Sequence, residues 1–88
     1  MNAIEQTVKD YILRTFLPGE NPSALTSSTP LITSGILDSL ATLDLVGFLE
    51  TQYGVEFDAA EVDGSRIGTL ADIARLVEAK RAKQGATS

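Results

Sequence analysis

Apolar residues recur at intervals of three and four in three separate stretches of this chain. Nowhere do they alternate with polar residues long enough to make a sheet, and this restricts the fold to packed helices. In residues 3–16 the stripe is Ile4, Val8, Tyr11, Ile12 and Phe16, with Glu5, Lys9, Asp10 and Arg14 mostly off it. Leu17-Pro18-Gly19 ends that helix, because Pro cannot continue the backbone bonding and Gly suits a helix end. A second helix is expected from Asp38 or Ser39, with Asp38 as N-cap. Its run is Leu40, Leu43, Val46, Leu49 and Tyr53, widened by Leu45 and Phe48 and closed by Gly54. A short turn or helix is expected around Asp58–Val62, with Val55 and Phe57 packing inward. The last helix opens at Thr69, with Asp72 three residues on as an imperfect capping box, and carries Leu70, Ile73, Ala74 and Val77. Basic residues at Lys80, Arg81 and Lys83 complement its negative end.

Between the first two helices lies a stretch over residues 18–38 rich in Pro, Ser, Thr, Asn and Gly. A loop of about 20 residues is unusual in a compact domain. Leu25, Leu31, Ile32, Ile36 and Leu37 punctuate it and read as anchors, so the segment is expected to be an ordered crossover. The architecture expected is an all-α bundle of three main helices plus one short one. Its 88 residues suffice for one domain, taken as 1–83 with a loose tail over 84–88.

Composition narrows the chemistry. The chain has no cysteine and no histidine, which excludes disulfides, a Cys/His zinc site and a serine–histidine triad within it. The formal charge is −5. Such a surface repels nucleic-acid phosphates and anionic lipid. No Lys or Arg occurs between Leu17 and Ser65, whereas Asp38, Asp44, Glu50, Glu56, Asp58, Glu61 and Asp63 follow one another. That acidic run reads either as a solvated face or as a docking surface for basic partners. With no leader-like N-terminus and no long apolar run, the chain is expected to be cytoplasmic, without membrane insertion.

The informative segment is Gly35-Ile36-Leu37-Asp38-Ser39-Leu40. It sets a serine hydroxyl where a long loop meets a helix start. The first backbone N–H groups there lack partners and the helix dipole is positive, so a phosphate on Ser39 would be stabilised. Nothing near Ser39 in sequence would activate it as a nucleophile. Taken alone, Asp38-Ser39 also reads as an ordinary helix cap.

The wider pattern resembles a known family. Thr33-Ser34-Gly35-Ile36-Leu37-Asp38-Ser39-Leu40-Ala41-Thr42-Leu43-Asp44-Leu45-Val46 is similar to the Asp-Ser-Leu signature of acyl carrier proteins. The likeness continues through Phe48-Leu49-Glu50, Tyr53 to Phe57 and Ile67 to Ile73, and so spans about residues 3–80. The resemblance implies a four-helix carrier bundle. It implies 4′-phosphopantetheine on Ser39, donated from coenzyme A by a phosphopantetheinyl transferase. It further implies a monomeric, non-catalytic carrier of acyl or aminoacyl thioesters, served by a loading ligase and downstream synthase enzymes. Matched position by position, Asp38, Leu40, Asp44 and Glu50 fall on the family's partner-recognition positions, and Glu61 and Asp63 lie in the short-helix region. Leu40 reads equally as core. Ala41, Gly47, Thr51 and Gln52 depart from the pattern of fatty-acid carriers and tilt the reading toward a specialised pathway of polyketide, nonribosomal peptide or aminoacyl type. A carrier of primary fatty-acid synthesis and an unmodified helical interaction module are the alternatives.

Overall fold

A computed structural model describes residues 2–62 and 66–87. Three helices carry the fold: α1 (Ala3–Thr15), α2 (Ser39–Tyr53) and α3 (Leu70–Thr87). Two 3-10 turns, Pro22–Ala24 and Ala59–Val62, lie in the connections. The expected short fourth helix is therefore a single 3-10 turn. α3 keeps helical backbone past Lys83 through Thr87, into the segment expected to be a loose tail.

Each helix start follows from its cap. The Asn2 side chain accepts a bond from the Glu5 amide at 2.8 Å. The Asp38 carboxylate accepts from the Ala41 amide at 2.8 Å, and the Thr69 hydroxyl accepts from the Asp72 amide at 3.1 Å. Such caps are typically worth about 1 kcal/mol each. α2 ends at Gly54, whose φ of 65° is left-handed and suits a residue without a Cβ.

α3 packs against both α1 and α2. The core joins Ile4, Val8 and Ile12 of α1, Leu45 and Leu49 of α2, and Leu70, Ile73 and Val77 of α3. Tyr11 ties α1 to α2. Its ring stacks on Phe48 at 4.1 Å, and its hydroxyl donates to the Asp44 carbonyl at 3.3 Å.

The long connection is ordered by its leucines. Leu25, Leu31 and Leu37 are fully buried, and Ile32 and Ile36 pack against the core. The Leu31 amide donates to the Gly68 carbonyl at 2.8 Å, and the Ala71 amide to the Ser27 carbonyl at 3.2 Å. Ser27 also donates its hydroxyl to the buried carboxylate of Glu5. These bonds tie the crossover to α1 and to the start of α3. They fix where the chain enters α2, and so where Ser39 stands.

α2 differs from the sequence expectation. Its packed row is Ala41, Leu45 and Leu49, whereas Leu40 and Leu43 are 74% and 67% exposed. The helix is apolar around much of its circumference, so periodicity alone identified the helix but not its inward face.

Candidate functional site at the start of α2

Ser39 is the first residue of α2 and is exposed. The preceding Asp38 occupies two of the helix's first donors: its carboxylate takes the Ala41 amide, and its carbonyl takes the Thr42 amide at 2.9 Å. The amides of Ser39 and Leu40 have no acceptor among the described residues. An anion held on the Ser39 oxygen would meet open donors and the positive end of the helix dipole.

Beside Ser39 runs an open groove of about 690 Å³. Ile32 and Leu37 of the crossover, Thr42 and Leu43 of α2, and Val62 and Ile67 line it together with Ser39. A volume of this order suits a ligand the size of an extended pantetheine chain. Its mixed wall, apolar with the hydroxyls of Ser39 and Thr42, suits a chain of methylenes and amides. Phe48, Tyr53 and Phe57 are not among its described lining residues. Phe48 stacks on Tyr11, Tyr53 lies under the Arg81 guanidinium, and Phe57 lies under the Lys80 ammonium.

The residues expected to recognise partners separate into two groups. Asp38, Leu40 and Asp44 are exposed along the first half of α2, on the same stretch as Ser39. Glu50 and Glu61 instead hold the fold. The Glu50 carboxylate is half-buried and accepts the Phe57 amide at 3.0 Å. The Glu61 carboxylate accepts the Asp58 amide at 2.9 Å and pairs with Lys80 at 2.9 Å. Asp63 lies outside the described residues. Leu43 was missed from sequence, where it read as core. Its exposure beside Leu40 makes an apolar patch of two leucines next to Ser39. The only available signal was the competing row of Ala41, Leu45 and Leu49.

The family model "Phosphopantetheine attachment site" matches residues 12–77. "Probable acyl carrier protein PigG" of Serratia sp. (strain ATCC 39006) is 33% identical over 79 residues, covering 90% of each chain. A chain of a solved structure described as "Crystal structure of FAD-dependent dehydrogenase" superposes with a TM-score of 0.73 at 31% identity. That match covers 80% of this chain and 97% of the other.

Proposed function

We propose that Ser39 is the tether in a chain that belongs to the acyl carrier protein family, whose cofactor is covalently attached 4′-phosphopantetheine. The observation that carries the reading is the position of Ser39: exposed, at a capped helix start with two open amides, at the mouth of a groove. The Ser39 hydroxyl attacks the phosphorus of coenzyme A that bears the pantetheine. A new oxygen–phosphorus bond forms, adenosine 3′,5′-bisphosphate leaves, and the serine proton passes to a base on the transferase. When bound, the group supplies a terminal thiol that holds an acyl unit as a thioester, sulfur chemistry the cysteine-free chain lacks. Ser39 itself stays a tether: no histidine exists to activate it. The chain acts as a non-catalytic carrier, presenting one intermediate to several enzymes at high effective concentration.

The specialised-pathway reading rests on the departures of α2. Gly47 and Thr51 are exposed positions where fatty-acid carriers often show larger or acidic residues, and Ala41 is packed in the core. Partner classes include the transferase and a loading ligase. A flavin-dependent dehydrogenase is a further class, which would remove two hydrogens from the tethered acyl group and pass them to its flavin. It is supported by the matched chain of the FAD-dependent dehydrogenase structure, which the coverage makes shorter than this one.

The test is incubation with coenzyme A and a broad-specificity phosphopantetheinyl transferase, read by intact mass. One arm is expected on the wild type and none on Ser39→Ala. No mass gain would instead favour an unmodified interaction module.

A further inference from the structure

The groove beside Ser39 takes part of its wall from Val62, the last residue of the 3-10 turn Ala59–Val62. A turn this short has few internal bonds with which to hold a side chain in place. It is held from outside, through the residue before Val62. One carboxylate oxygen of Glu61, Oε1, accepts the Asp58 amide at 2.9 Å and the Lys80 ammonium of α3 at 2.9 Å. The first bond joins the turn to the residue that precedes it, and the second fastens it to α3.

That fastening is half-buried, with the Lys80 and Glu61 side chains 19% and 23% exposed. The Lys80 ammonium also stands 5.9 Å from the centre of the Phe57 ring, and the Phe57 amide is itself held by the Glu50 carboxylate. Lys80 thus meets the segment leading into the turn as well as the turn. A second ion pair on α3 gives the contrast. Arg75 and Asp72 lie 3.0 Å apart within one helix, with Arg75 73% exposed, and a pair of that kind contributes little. Glu61 and Lys80 join two elements across nineteen residues, and their partial shielding leaves the attraction less screened by salt. Removing either charge loses that attraction and leaves a partly buried charge behind.

We infer that Lys80 is a positioning residue for the phosphopantetheine arm: acting through Glu61, it latches Val62 into the groove wall, so that an arm on Ser39 rests in the groove between visits to enzymes. The groove binds the arm while its wall is in place, so the time the turn spends unlatched is time the arm spends in solvent. The inference rests on Ser39 being the tether, and the experiment separates the two.

Wild type, Lys80→Met, Glu61→Gln, the double variant, Lys80→Arg and Arg75→Met are each loaded from coenzyme A, with the arm verified by intact mass. The terminal thiol is then alkylated with N-ethylmaleimide and the rate read by mass. Methionine keeps an apolar stem over Phe57 without the charge, and glutamine keeps an acceptor for the Asp58 amide. Each of these single variants is expected to speed alkylation at least about threefold, and the double variant no more than either alone, because the two residues act as one latch. Lys80→Arg, which keeps the charge, and Arg75→Met, which breaks the exposed pair, are expected within about 1.5-fold of wild type. Hydrogen exchange locates the effect: in Lys80→Met the amides of residues 57–62 should exchange faster while those of α1 keep their wild-type rates, whereas a general loosening would speed both. Wild-type alkylation in both single variants, rates that multiply in the double variant, or an equal rise in Arg75→Met overturns the latch and leaves the tether intact. Failure of the wild type to take an arm overturns both.

Discussion

Two acids at opposite ends of α2, Asp38 and Glu50, are each asked to do one of two jobs, and single substitutions tell the jobs apart. Asp38 caps α2 through the Ala41 amide. Asp38→Ala is expected to lower stability by about 1 kcal/mol, while Asp38→Asn, an equally good cap without the charge, should unfold within a few tenths of wild type. Slower transfer in a fully stable Asp38→Asn would then report the charge alone. Glu50 makes the opposite case. Its carboxylate satisfies the Phe57 amide, so Glu50→Ala should destabilise by about 1–3 kcal/mol in urea titration. Glu50→Gln keeps an acceptor and should recover most of that loss. Transfer kinetics that fall in Glu50→Gln at wild-type stability would return Glu50 to the partner surface.

At the level of elements, α2 separates a packed row from an outward one. Leu45 is fully buried among the three helices. Leu45→Ala should cost about 2–5 kcal/mol. Leu43→Ala removes the same atoms from an exposed position and should change stability by no more than about 0.5 kcal/mol, with its effect read in docking. Equal losses in the two variants would mean that α2 is turned differently. These elements also show what was legible beforehand. The caps at Asp38 and Thr69, the stop at Gly54 and the anchoring leucines of the crossover are local chemistry, carried by a residue and its neighbours a few positions away. The inward face of α2 is not local. Leu40, Leu43, Val46 and Ala41, Leu45, Leu49 are both acceptable rows, and the choice depends on where the crossover and α3 stand. The same holds for the acids: Glu50 finds its partner seven residues on, and Glu61 finds Lys80 nineteen residues on. Composition marks all of them as acidic surface, and only the folded chain shows which are engaged.

Taken whole, the molecule is electrically lopsided. The formal charge is −5, and the span from Leu17 to Ser65 holds no compensating base, whereas Arg75, Lys80, Arg81 and Lys83 fall on α3. Asp38 and Asp44, exposed on the stretch that bears Ser39, present negative charge to an approaching enzyme. Steering of this kind is screened over about 10 Å at 0.1 M salt. Raising salt from about 0.05 to about 0.5 M should increase KM for arm transfer several-fold with little change in kcat, and Asp44→Lys should blunt that dependence. A salt-insensitive KM would make the acidic run a solvated face. No helix among the described residues is long and apolar enough to cross a membrane. Everything proposed converges on one oxygen atom. The most direct measurement is fragmentation mass spectrometry of the chain after transfer from coenzyme A, which locates the arm among Thr33, Ser34, Ser39 and Thr42. The account predicts a single arm on Ser39, and an arm on any other residue would contradict it.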